Sequence, residues 1–438
     1  MDFRVKLLGY TDDPQSISVA GALGCFEEQS SYQMLEMLDL LSPEDRDKKE
    51  KGVLKNSFGR GHGSVGDQNC FIFSIEDLPR VATLFLCQSE YLSHLQQSLR
   101  RARASRGYHL PETIIKSSYL KRVEEILSNS FKLYERLCSA GIPAEDARYL
   151  LPLYTRTNIQ TLGNARELCH LWHMSQQPGV PSIVKAIVDE MIALAKDKAP
   201  YLFEKFGFNF EPVAWYPAPQ LFAPSNELIK GLVESCASES VVLLDSCHKL
   251  PITAGMVEQA VKGDEAQLAN LKHVHFEFLV SMSFACFHQA VRQRTWNHSV
   301  ESIYDAVNGE ARMVIPPSIK SSSFSFAYEK QHLEMLELFH SLIQDGIPTP
   351  EAVGVLPHSL LIFTLIHVNG WNALHSIGKR TCVEAQWEIR NLAWKMARII
   401  KKKLPVLGKW AEPQCITYGG SCPEVKDCGY YKKLQKGK

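Results

Sequence analysis

The chain carries no excess of charge. Forty-eight Lys and Arg stand against forty-eight Asp and Glu in 438 residues. A nucleic-acid footprint built from bulk positive charge is therefore excluded, no DNA partner is expected, and any anion must be met by a local cluster. No apolar run approaches the roughly 20 residues that span a bilayer, so no membrane partner is expected. The opening MDFRVKLLGYTDDP lacks the basic and apolar regions of a signal peptide, which points to a cytoplasmic protein. There is no disulfide framework either. Most of the twelve cysteines sit among apolar residues, as Cys70, Cys87, Cys169 and Cys286 do, in the manner of reduced core thiols. Only the tail clusters them, as Cys415-x6-Cys422-x5-Cys428. That spacing is irregular for zinc, where a Cys-x-x-Cys knuckle is the strong sign. A fourth ligand is not obvious, although Cys382 or a histidine could be brought near by folding, and no metal site is assigned.

What the chain does have is a repeat. Its length is two to three times that of a typical domain, so two domains are the default. The Phe-x-Phe of Phe71 and Phe73 recurs as Phe276 and Phe278, an offset of 276 − 71, or 205. The same offset links Pro111 to Pro316, Gly141-Ile142-Pro143 to Gly346-Ile347-Pro348, Leu151-Pro152 to Leu356-Pro357, and Asn164 to Asn369. So many anchors in one register define two tandem copies of one domain, residues 1–212 and 226–438, the second with the cysteine tail. The stretch EPVAWYPAPQLFAPS, residues 211–225, is the natural linker.

Both copies read alike. A β-type opening (VKLLGY, VVLLDS) leads through helical segments to the Phe-x-Phe strand, whose aromatics belong in the core, and then to a helix carrying a polar motif. Long amphipathic helices follow; SSYLKRVEEILSNSFKLYERLCSAGIP has apolar residues at three- and four-residue spacing and stops at Gly-Ile-Pro. The class is α+β, a mixed or antiparallel sheet with long helices in each copy.

The polar motif of the second copy is HQAVRQRTWNHSVESIYD, residues 288–305; the first copy offers LCQSEYLSHLQQSLRRA in its place. Gln88, Ser89 and Glu90 stand opposite Arg292, Gln293 and Arg294, whereas Gln96, Ser98 and Arg100 stand where the second copy has Ser299 or Val300, Ser302 and Tyr304. Each copy keeps a different half of a polar cluster. Guanidinium supplies a charged, forked donor set for phosphate or a uracil carbonyl, and serine adds a neutral donor.

These residues resemble the flavin-dependent thymidylate synthase (ThyX-type) family. Its motif Q-x-x-R-H-R-x-x-S-x-N-E-x-S-x-R is preceded by G-H-x-S/T and Phe-x-Phe and followed by a Gly-Ile-Pro turn, N-A-R and R-x-x-x-x-A-Q-W-E-I-R. The first copy supplies GHGSVGDQNCFIF, SHLQQSLRR, GIPAEDARYLLP and NAREL; the second supplies HQAVRQR, SVESIYD and RTCVEAQWEIR. The resemblance implies conversion of dUMP to dTMP with methylenetetrahydrofolate as carbon donor, FAD as redox carrier and NADPH as reductant. The flavin would carry the redox chemistry while the protein orients the reactants, so no protein nucleophile is implied.

Carried over position by position, Gln289 and Arg292 match contacts to the dUMP base and phosphate, and Arg380 matches the arginine that orients the base. Gln96, Ser98 and Arg100 match positions that reach the nucleotide from another subunit. His62 and Ser64, Arg294, Asn164 with Arg166, and Asn369 match positions near the flavin or its phosphates. Arg292, Arg380 and His62 are the catalytic candidates. Family members work as homotetramers, so a homodimer of this tandem chain would form a pseudo-tetramer, with composite sites between repeats.

The chain also departs from the pattern. Gln293 replaces the motif histidine, Asn297 the serine, Val300 the glutamate and Tyr304 the arginine, while Ser175 and Asn369-Gly370-Trp371 break the later motifs. Two alternatives therefore stay open: a flavin-dependent methyl or hydroxymethyl transferase on another uracil nucleotide or an RNA uridine, and a catalytically silent nucleotide- or flavin-binding homologue. Trp387 of the AQWEIR turn is expected in the core.

Overall fold

The computed structural model describes residues 3–212, 216–236, 239–247, 249–309, 312–417, 420, 422 and 424–436. The chain forms two compact units, one of residues 1–224 with 315–358, the other of residues 225–314 with 359–438. Each is built on a four-stranded sheet. In the first, β1 (Arg4–Tyr10), β2 (Phe71–Pro79), β3 (Ser93–Gln96) and β4 (Arg156–Gly163) lie in the order β1-β2-β4-β3. In the second, β5 (Val241–Cys247), β6 (His275–Ser283), β7 (Asn297–Val300) and β8 (Leu361–Asn369) repeat that order as β5-β6-β8-β7. Every pairing is antiparallel. Register carries the repeat down to single residues: Phe71 faces Gly163, and Phe276 faces Val368. Alternation in β2 puts Phe71, Phe73 and Ile75 wholly inside, and Phe276 and Phe278 are equally buried in β6.

The two long helices, Leu120–Ser139 and Ser325–Gln344, end identically. Gly141 and Gly346 both take φ 86°, in the left-handed region. Ile142 N donates to Leu137 O and Ile347 N to Leu342 O, each at 3.0 Å; Gly141 N and Gly346 N close the inner bonds to Cys138 O and Ile343 O. This is the Schellman stop that the Gly-Ile-Pro sequence predicts.

The compact units do not follow the linear repeat. The Ser325–Gln344 helix, expected with residues 226–438, packs in the first unit against Leu120–Ser139, where Gln331 Nε2 donates to Ile126 O at 3.2 Å. Nearby, the equivalent Pro152 and Pro357 form an antiparallel bridge, flanked by Leu153 N to Leu356 O at 2.8 Å and His358 N to Leu151 O at 3.0 Å. Equivalent segments thus meet about a local two-fold axis, the self-complementary geometry of an isologous contact. Each amphipathic helix hides its apolar stripe against its counterpart.

The expected linker is only partly one. Val213, Ala214 and Trp215 lie outside the described residues, but Leu221 and Phe222 are buried in the first unit, Phe222 against Phe85 at 6.2 Å. Among the described residues no helix is long and apolar enough to cross a membrane.

Candidate nucleotide site

The arginines of the polar motif are not on a helix. In the second unit the helix Phe284–Ala290 ends before the arginines, so Gln289 sits on its last turn while Arg292 and Arg294 occupy the exposed turn leading into β7. Past the turn the Trp296 ring is buried and its Nε1 donates to Ser376 Oγ at 2.6 Å, anchoring the start of β7. Asn372 Nδ2 donates to Thr295 O at 2.8 Å, fastening the arginine turn to the segment begun by Asn369. Asn369 itself is an N-cap, accepting from Asn372 N at 2.9 Å.

Gln293, which stands for the motif histidine, has a part the sequence did not reveal. With its amide oriented to satisfy both groups, its oxygen accepts from Arg380 Nε at 3.0 Å and also from Nη2. The turn bearing Arg292 and Arg294 is thereby joined to Arg380, on the helix Gly378–Arg380. Three arginines close in sequence or space concentrate positive charge, an arrangement suited to a phosphate.

The later half of the same motif is closed in this unit. Val300 and Tyr304 are buried, Glu301 pairs with Arg312 at 2.8 Å, and Phe363 N donates to Glu301 Oε2 at 2.9 Å. Burial pushes the Glu301 carboxyl up, and Arg312 opposes the shift.

The first unit shows the opposite pattern. Gln88 and Ser89, which replace the arginine turn, are buried and tied internally, Leu221 N donating to Gln88 Oε1 and Ser89 Oγ to Glu167 Oε2, both at 2.8 Å. The later half stays accessible. Gln96 ends β3, Ser98 is exposed, and Arg100 is held by Glu145, with Nε to Oε2 at 2.7 Å. Arg148 joins this group, its Nε donating to Glu145 O at 3.1 Å. The sequence carried it in GIPAEDARYLLP, part of the family resemblance, but no site role was given to Arg148. In each unit the serine fixes the local turn, Ser98 Oγ accepting from Arg100 N and Ser302 Oγ from Tyr304 N.

Each half holds an unsatisfied amide. Among the described residues, the buried Gln96 Nε2 in the first unit and the buried Gln289 Nε2 in the second each lack a hydrogen-bond partner. A buried N–H without an acceptor costs about 1–3 kcal/mol.

The residues matched to a flavin assemble in part. His62 and Ser64 are exposed at the short helix Gly63–Gly66, beside the start of the helix Ala165–Ser175. Asn164 Nδ2 and Arg166 Nη1 both reach Asp67, each at 3.0 Å, and the Arg166 guanidinium lies 4.3 Å from the Tyr216 ring centre. That set is already satisfied by a carboxylate. Trp387 departs from expectation: it is half-buried at the surface of its helix, and the buried neighbours are Gln386, Glu388 and Ile389. Gln386 caps the helix, and Glu388 accepts from Ser283 N at 2.8 Å, which turns Trp387 outward.

Residues 6–201 and 250–406 match the Thy1 family, described as thymidylate synthase complementing protein. The flavin-dependent thymidylate synthase of Pyrococcus furiosus is 34% identical over 179 residues, 38% of this chain and 72% of that protein. That of Saccharolobus solfataricus is 31% identical over 210 residues, covering 47% and 77%. A solved UMP/dUMP methylase, PolB from Streptomyces cacaoi bound with 5-Br dUMP, is 17% identical with a TM-score of 0.41, over 48% of this chain and 98% of that one. Two matched regions that together cover most of the chain, with the same strand order in the sheet of each unit, make the chain a tandem member of the thymidylate synthase complementing protein family.

Proposed function

We propose that the chain is a flavin-dependent thymidylate synthase that converts dUMP to dTMP with methylenetetrahydrofolate and NADPH. Each nucleotide site draws Gln289, Arg292 and Arg380 from a second repeat and Gln96, Ser98 and Arg100 from a first, with Arg148 beside them. The pair of unpartnered glutamine amides carries this reading, because uracil carbonyls and phosphate oxygens are the acceptors that would satisfy them. The closed halves, Gln88 with Ser89 in one unit and Val300 with Tyr304 in the other, support one complete set per chain rather than two. Arg292 and Arg380 would orient the uracil and neutralise the phosphate. FAD, when bound, supplies the redox chemistry; the exposed Arg294 with Asn369 suits its phosphates, whereas His62, Ser64, Asn164 and Arg166 would receive them only where Asp67 gives way.

Calorimetry combined with light scattering tests the composite site. A dimer binding one dUMP per chain is expected. Arg292→Ala and Arg100→Ala, in different repeats, should each weaken binding by about 1.5–3 kcal/mol, roughly ten- to a hundredfold. Two equivalent dUMP per chain, or unchanged binding by Arg100→Ala, would overturn it. Closure of the Arg166 group by Asp67 favours a second reading, a nucleotide binder without turnover. Tritium release from dUMP labelled at C5 separates the two.

A further inference from the structure

The four cysteines nearest the C-terminal end converge. Cys382, just after the Gly378–Arg380 helix, and Cys415, Cys422 and Cys428 of the tail line one cavity of about 440 Å³. All four are free thiols. Ordinary core packing does not account for them: Cys428 is exposed and Cys382 and Cys422 are half-buried, unlike Cys87, Cys169 and Cys286. Nor does the tail have a hydrophobic anchor of its own, since none of the described residues from 420 to 435 is buried. A segment with no core whose cysteines nevertheless line a single cavity needs another kind of staple.

We propose that Cys382, Cys415, Cys422 and Cys428 form a tetrathiolate zinc site that pins the C-terminal tail to the turn behind Arg380. Four thiolates around one Zn²⁺ make a closed, structural centre with no open position for chemistry. Each thiol releases its proton to solvent on binding, so the site is a dianion; Lys379, Arg380 and Lys426 in the same wall offset that charge. Soft sulfur also outcompetes the carboxylates of Glu384, Glu424 and Asp427 in the cavity for zinc. Among the described residues no three such side chains already stand in metal-binding geometry, so closing the site draws the tail inward.

The proposal is independent of the nucleotide reading, and its test uses metal alone. The full chain purified under reducing conditions should carry one zinc per chain by mass spectrometry of the metal. Exchange with Co²⁺ should give the intense d–d bands and thiolate charge-transfer absorption of a tetrahedral four-sulfur centre. Cys382→Ala and Cys428→Ala should lose the zinc, and Cys138→Ala, in the other unit, should keep it. Cys428 is exposed, so its variant separates loss of a ligand from loss of the fold. Absence of both zinc and the cobalt spectrum would overturn the site, as would a disulfide at Cys428, or iron with sulfide in place of zinc.

Discussion

At the scale of single residues, the first-unit flavin candidates turn on Asp67. Its two carboxylate oxygens take Asn164 Nδ2 and Arg166 Nη1, the donors that a pyrophosphate would claim. Burial works against the Arg166 charge, and hydrogen bonding and charge pairing with Asp67 outweigh it, so the Arg166 pKa is raised. If these residues receive FAD, Asp67→Asn removes the competing charge and should tighten FAD binding about tenfold or more, the worth of roughly 1.4 kcal/mol. Flavin fluorescence quenching measures it. An unchanged affinity would take His62, Ser64, Asn164 and Arg166 out of the flavin site and leave Arg294 and Asn369. None of this competition was legible in the sequence, because Asp67 belongs to no motif and meets Arg166 only when β2 and β4 bring their ends together. The arginine and glutamine candidates were legible, being carried by a contiguous motif. The use of Gln293 to hold Arg380 was not, since it read as a loss.

At the scale of elements, the two helix stops offer a clean measurement. Nothing lies within 4 Å of a Cβ built on Gly346, so its replacement meets only the left-handed backbone at φ 86°. Gly346→Ala should therefore cost about 1–2 kcal/mol, and Gly346→Asn less, because Asn tolerates that region. The urea midpoint of the first unit, which holds the Ser325–Gln344 helix, should shift, while dUMP affinity stays unchanged. Equal stability of Ala and Gly variants would contradict the Schellman assignment. The helix, its end and the Phe-x-Phe strands were all readable from local pattern. Which unit the helix joins was not, because that depends on contacts between residues some two hundred positions apart, such as Gln331 with Ile126 and Pro152 with Pro357. The true setting of the motif's arginines, a turn rather than a helix, was hidden for a related reason: the sequence does not show that Trp296 buries its ring and bonds Ser376, eighty residues later.

At the scale of the whole molecule, three histidines whose surroundings disfavour the charged ring set a common response to acid. Burial pushes His298 and His332 down to about 4, and His358 down to about 3, where Arg80 and Arg148 add their positive charge. His358 Nδ1 also lies 2.6 Å from Leu151 O, beside the local two-fold axis. All three are neutral in the folded chain at neutral pH. In the unfolded chain each takes up a proton below about 6.5, whereas the folded chain resists until about 4 or 3. Between those values the unfolded state binds more protons, so stability is full above about pH 6.5 and is lost as the pH falls. Glu301 works in the opposite sense, its carboxyl held above the usual range by burial, whereas His367 and His375, also pushed down by burial, act with the three histidines. The urea midpoint, followed by far-ultraviolet circular dichroism, should accordingly drop steadily from pH 7 to pH 4.5. His332→Gln should flatten that slope, because glutamine removes the titrating ring from the packed face of the Ser325–Gln344 helix. A midpoint independent of pH over that interval would mean that the three rings are hydrated and protonate as readily folded as unfolded.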